Sequence, residues 1–114
     1  MEAQTRQKLQ DLQILEQNLQ NLLIQKQNIN SELNETVNAL DEVKKTNDLI
    51  YKMVGSIMVA VDKKKTIEEL EEKKKLSELR NDSIIKQEKL IETKARELQE
   101  ELKKLLQKSP SEVR

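Results

Sequence analysis

The sequence contains no cysteine, histidine, tryptophan or phenylalanine, and only one tyrosine, one glycine and one proline. Without Cys and His it lacks the ligands of the commonest zinc sites, a thiol nucleophile and an imidazole for acid–base catalysis. With almost no aromatic bulk, there is little from which to build a thick core. Excess charge of one sign is also missing. The 21 basic residues balance the 21 acidic ones, so the attraction that nucleic acid or an anionic membrane would need is absent. The longest apolar run, Ile57 to Val61, is far too short to span a bilayer, and no signal peptide is recognisable. The expectation is therefore a cytoplasmic protein with no nucleic-acid and no membrane partner. Glycine-rich phosphate loops, paired catalytic acids and metal-ligand clusters are equally missing, so no enzyme activity, cofactor or metal is expected.

What the chain does have is Glu, Lys, Gln and Leu, all good helix formers. Of its 114 residues 37% are charged and 35% hydrophobic, a balance that would also suit disorder. The order of the leucines argues against that. Leu12, Leu19, Leu33 and Leu40 share one seven-residue spacing, with Lys26 as its polar exception. Leu15, Leu22, Ile29, Thr36 and Val43 fill the interleaved spacing. Such a heptad pattern predicts a coiled-coil helix over residues 7–47, on the order of 60 Å long at roughly 1.5 Å per residue.

A second helix is expected over residues 66–108, with 109–114 as a flexible tail. Thr66 followed by Glu69 fits a capping box, and Ser109-Pro110 fits a stop. Its apolar seam reads Ile67, Leu70, Leu76, Leu79, Ile84, Ile91, Leu98, Leu102 and Leu105, with a shift of register around residues 77–83.

Between the helices, residues 49–62 break the pattern. LIYKMVGSIMVAVD is rich in β-branched residues and holds the only glycine at its centre. This predicts two strands around a Gly55-Ser56 turn of type II′, with Val54 facing Ile57, Lys52 facing Val59 and Ile50 facing Val61. The competing reading is one uninterrupted helix. If the chain reverses at the turn, residues at equal depth must have numbers adding to a nearly constant sum. Leu12 with Leu102 gives 114, and Leu22 with Ile91 gives 113. The turn's own sum is 111. The fold class is thus mainly α, a single domain over 1–114: a long antiparallel two-helix coiled coil joined by one β-hairpin. A two-stranded ribbon is marginal alone. This one is apolar on both faces and has two open edges. Ile50, Tyr51, Met53, Val54, Gly55, Ile57, Met58, Val59 and Val61 are therefore expected to pair with other subunits in a closed barrel.

The stretch Ile50-Tyr51-Lys52-Met53-Val54-Gly55, followed by Ser56-Ile57-Met58-Val59-Ala60-Val61-Asp62-Lys63, resembles the hairpin of the β-type prefoldin subunit. That family comprises the archaeal form and its eukaryotic relative, subunit six. Gln25-Lys26-Gln27 and Ala39-Leu40-Asp41-Glu42-Val43 are similar to its first helix. The resemblance implies a hexamer of two α-type and four β-type subunits. It also implies an ATP-independent holding chaperone whose coiled-coil tips capture unfolded polypeptides and pass them to a group II chaperonin. The residues brought to the tip would be Leu9, Leu12, Ile14 and Leu15 with Leu98, Leu102, Leu105 and Leu106. Two bland readings stand beside this one. In one the tip is an ordinary coil end with its leucines packed between helices; in the other the whole chain is an architectural spacer or tether for one folded partner.

Overall fold

The structure, a computed structural model, describes residues 2–108. Four elements follow one another: α1 (Ala3–Lys45), β1 (Ile50–Val54), β2 (Ile57–Val61) and α2 (Lys63–Lys108). The expected Ser109-Pro110 stop and the tail over 109–114 lie outside the described residues. The chain divides into two units. One combines the stretch up to Lys26 with the stretch from Ser83 onward, and the other is Gln27–Asp82.

In the second unit, the hairpin forms in the register the sequence predicts. Ile50 pairs with Val61, Lys52 with Val59 and Val54 with Ile57. Gly55 takes a φ of +63°, and no other residue has a positive φ among those described. A type I′ turn needs two such residues, whereas II′ needs one, at the glycine position. The uninterrupted helix is thereby ruled out.

Both helix ends that meet the hairpin are tied down by hydrogen bonds. Asp62 Oδ2 accepts the Lys65 backbone N–H at 3.0 Å, so Asp62 is the N-cap and α2 begins three residues before the expected Thr66. Thr66 is already inside the helix, and its hydroxyl donates to the Asp62 carbonyl at 2.7 Å. The capping box is therefore corrected to a single aspartate cap: Asp62 directly follows β2 and claims the orphan N–H groups first. Lys63 then reaches back, its ammonium donating to the Thr46 carbonyl at 2.7 Å. That satisfies an orphan acceptor where α1 ends.

The buried and half-buried positions on α1 include a run through Thr5, Lys8, Leu12, Leu15, Leu19, Leu22, Lys26, Ile29, Leu33, Thr36, Leu40 and Val43, with Asp11 and Glu32 half-buried beside it. The alternating three–four spacing matches the expected seam. On α2 the same spacing runs without a break through Ile67, Leu70, Lys74, Ser77, Asn81, Ile84, Glu88, Ile91, Ala95, Leu98, Leu102 and Leu105. The expected shift of register is thus absent. Leu76 and Leu79 lie outside the seam, 51% and 59% exposed. The reason is helical phase. Leu76 follows Leu70 by six residues and Leu79 precedes Ile84 by five, offsets that rotate them away from the seam unless the helix is locally rewound. The inward positions are taken by polar residues instead, with Ser77 buried on α2 and Thr36 on α1. The Thr36 hydroxyl is satisfied by the Glu32 carbonyl at 2.8 Å.

Ion pairs flank the seam within each unit. Lys44–Glu71 at 3.3 Å and Lys73–Glu32 at 3.8 Å bridge α1 and α2 in the second unit. Lys26–Glu88 at 3.3 Å and Lys8–Glu101 do so in the first. Lys26 and Glu88 stand at seam positions, so the polar interruption on one helix is answered by an opposite charge on the other. Exposed pairs contribute little to stability and more to register.

The buried amide oxygen of Asn81 has no hydrogen-bond partner, an arrangement that costs about 1–3 kcal/mol. Replacing Asn81 by Leu removes it and adds apolar surface to the seam. Chemical denaturation of N81L is expected to show a gain of about 1 kcal/mol, with L79K within about 0.5 kcal/mol of the parent. A large loss in L79K would mean that Leu79 is a seam residue after all.

Candidate functional site

Two surfaces hold the residues singled out from the sequence, one in each unit. In the second unit the ribbon presents nearly all of its side chains to solvent. Tyr51, Met53, Val54, Ile57, Met58 and Val59 are 45–69% exposed, and Leu49 just before them is 75% exposed. Ile50 and Val61 alone are half-buried. Successive strand residues alternate faces, so Ile50, Lys52, Val54, Ile57, Val59 and Val61 share one face. Tyr51, Met53, Met58 and Ala60 share the other. Both faces are apolar except at Lys52. This is a contiguous hydrophobic surface of the kind that marks an interaction site. An open groove of about 750 Å³ runs where the ribbon meets the helices, lined in part by Ala39, Val43, Tyr51, Met53 and Leu70.

In the first unit, where α1 begins and α2 ends, the eight expected tip residues divide into three groups. Leu9, Ile14 and Leu106 are exposed, at 37%, 55% and 56%. Leu12, Leu15, Leu98 and Leu105 are half-buried in the seam. Leu102 is buried. Leu9, Leu102 and Leu106 come together with Thr5, Gln99 and Lys103 around an open groove of about 330 Å³. Ile14 does not line it. Thr5, buried at the floor, was missed from the sequence, although it lies seven residues before Leu12 and so continues that heptad spacing. Lys8 and Glu101 pair between the two helices, a solvent-facing contact that adds little to stability. Further exposed apolar side chains in this unit, Leu23, Ile24 and Leu90, lie off the seam.

The chemistry available at both surfaces is adhesion. No group of His, Cys, Asp or Glu suited to a metal occurs among the described residues, and none of their helices is long and apolar enough to cross a membrane. Open apolar grooves on slender elements can bind apolar segments of other chains without chemical change.

Comparison with known proteins gives a consistent family. A family model described as prefoldin subunit matches residues 6–109. The prefoldin subunit beta of Methanothrix thermoacetophila is 35% identical over 109 residues, covering 94% of this chain and 91% of that one. The corresponding subunit of Thermoplasma acidophilum is 37% identical over 100 residues, 85% and 81% of the two chains. The match to the subunit of Thermococcus onnurineus, 39% identical, is confined to 70 residues, 60% of each chain. The crystal structure of the prefoldin beta subunit from Thermococcus strain KS-1 superposes with a TM-score of 0.84 at 34% identity. It covers 92% of this chain and 94% of that one.

The exposure pattern separates adhesion from stability at the helix ends. Leu9→Gln combined with Leu106→Gln is expected to leave the thermal midpoint nearly unchanged, because both side chains already meet water. Binding of an apolar fluorescent dye to the groove should fall. Leu102→Gln should instead lower the midpoint, at a cost of about 2–4 kcal/mol.

Proposed function

The chain belongs to the prefoldin subunit family, whose members are chaperone subunits of hetero-oligomeric complexes, and on that premise we propose that it is a β-type subunit of an ATP-independent holding chaperone. In this reading the ribbon joins α-type subunits in a hexamer of two α and four β chains, with Ile50, Tyr51, Met53, Val54, Ile57, Met58, Val59 and Val61 buried on assembly and Gly55 making the turn. Exposed apolar side chains where α1 begins and α2 ends grip unfolded polypeptides, with Leu9, Ile14 and Leu106 foremost. The client then passes to a group II chaperonin in the cytoplasm.

The observation that carries the reading is the ribbon. An isolated two-stranded hairpin with apolar residues on both faces is marginal in water. Burying a side chain such as Ile57 or Met53 contributes about 1.5–3 kcal/mol, so assembly has a large driving force. The grooves at the helix ends are individually shallow and weak. Several of them acting on one flexible chain raise the effective affinity by orders of magnitude, provided that the client can span them. Release then needs no nucleotide, because no single contact is tight.

The test is suppression of aggregation. The chain mixed with an α-type partner is expected to keep a denatured client from aggregating in the absence of ATP. Deleting residues 1–15 and 98–114 should abolish holding and leave the mass of the complex, corrected for the deletion, otherwise unchanged. A truncated complex that holds clients as well as the parent would overturn the assignment of the client grip, and protection of one folded protein alone would point to a tether.

A further inference from the structure

The two faces of the ribbon differ in chemistry. Ile50, Val54, Ile57, Val59 and Val61, its β-branched residues, all stand on one face together with Lys52. The other face has no β-branched residue and carries Tyr51, Met53, Met58 and Ala60. Met53 and Met58 are cross-strand partners. The two-residue turn makes Val54 and Ile57 a hydrogen-bonded pair, and pairing alternates along an antiparallel ladder. Met53 and Met58 are therefore a non-hydrogen-bonded pair, the closer kind, with Cα atoms about 4.5 Å apart. They are 69% and 64% exposed. The sequence has three methionines, and the third, Met1, lies outside the described residues. Both described thioethers thus meet solvent side by side, within the surface proposed above for assembly. Strand geometry favours Val or Ile at such positions over Met. What Met adds is a soft, accessible sulfur whose polarity oxidation can change.

We propose that Met53 and Met58 form a paired oxidation site, through which a peroxide closes the unassembled chain to assembly. A sulfur lone pair attacks one oxygen of hydrogen peroxide, and the O–O bond breaks as the S–O bond forms. The second oxygen takes the proton of the first and leaves as water. Each thioether loses two electrons and becomes a sulfoxide, and each peroxide is reduced to water. The change places two strong acceptor oxygens on a face whose one polar side-chain group is the Tyr51 hydroxyl. That hydroxyl has a single proton to donate, so at most one of the two oxygens finds a donor on its own face. Burying an acceptor without a donor carries its full desolvation penalty. Assembly in turn covers the sulfurs, so the site is open only in the free chain. The inference rests on the ribbon being the assembly surface, as proposed above.

The experiment treats the full chain with hydrogen peroxide, locates the added oxygen by mass spectrometry of its peptides, and titrates the chain with an α-type partner by native mass spectrometry. Each chain is compared with itself before treatment. In the parent, oxygen is expected on Met53 and Met58, with helical content by circular dichroism unchanged. The concentration needed for assembly should rise about a hundredfold. Reduction by methionine sulfoxide reductase with a dithiol should reverse that rise. Met53→Leu combined with Met58→Leu should show no rise on treatment, whatever its starting affinity. In the preformed complex both methionines should resist the same treatment. The inference is overturned if the oxidised parent assembles as before, if the doubly substituted chain loses assembly on treatment as the parent does, if the preformed complex is oxidised as fast as the free chain, or if treatment unwinds the helices. Untreated Ile57→Asp separates this failure from that of the assembly reading. If it assembles poorly, only the role of the methionines falls; if it assembles like the parent, both fall.

Discussion

The positive φ at Gly55 and the five cross-strand pairs that it permits determine where α1 stops, where α2 starts and which residues of Gln27–Asp82 can face one another. Only glycine adopts that φ without strain, and the chain has one glycine. Asp62 and Lys63 convert the end of β2 directly into the start of α2. The first caps the helix it begins, and the second donates to the carbonyl at the end of the other helix. Two adjacent side chains thus couple both helix ends to the hairpin. The seam positions follow from that starting phase.

The interior that results is thin. No described side chain is fully buried, and seam positions are held by Lys26, Lys74, Ser77, Asn81 and Glu88 as well as by leucines. Polar seam residues trade stability for register, since misaligned pairings would leave charges or amides facing apolar side chains. Large exposed apolar side chains are densest in the ribbon, where Tyr51, Met53, Val54, Ile57, Met58 and Val59 all meet solvent. A thin core beside an exposed apolar ribbon leaves stability to be gained on association, which fits a family whose members form hetero-oligomeric complexes.

How much was legible in the sequence depended on whether apolar residues occupied the positions that matter. The α1 seam was readable because Leu, Ile and Val mark most inward positions from Leu12 to Val43, and the ribbon because β-branched residues surround a lone Gly-Ser turn. The α2 seam between Leu70 and Ile84 was not. Its inward positions are Lys74, Ser77 and Asn81, while Leu76 and Leu79 point outward, so hydrophobicity and helical phase disagree and phase wins. The N-terminal cap was misplaced for a related reason. Thr66 and Glu69 have capping-box spacing, but the strand end leaves Asp62 nearer the first free N–H groups. At the helix ends, the sequence named the apolar residues but not which of them are exposed. That depends on the angle of each around its helix, with Leu9 and Leu106 beside the seam, Ile14 farther round and Leu102 within it.

The central claim is that reversal at Gly55 brings α2 against α1 of the same chain in the phase set by Ser77. A chain with no native cysteine allows this to be read directly by paired cysteine substitutions under mild oxidation. Thr36→Cys with Ser77→Cys is expected to form a disulfide within single chains, at monomer mass, while Thr36→Cys with Leu76→Cys remains reduced. The opposite outcome, or crosslinks found only between chains, would contradict the account.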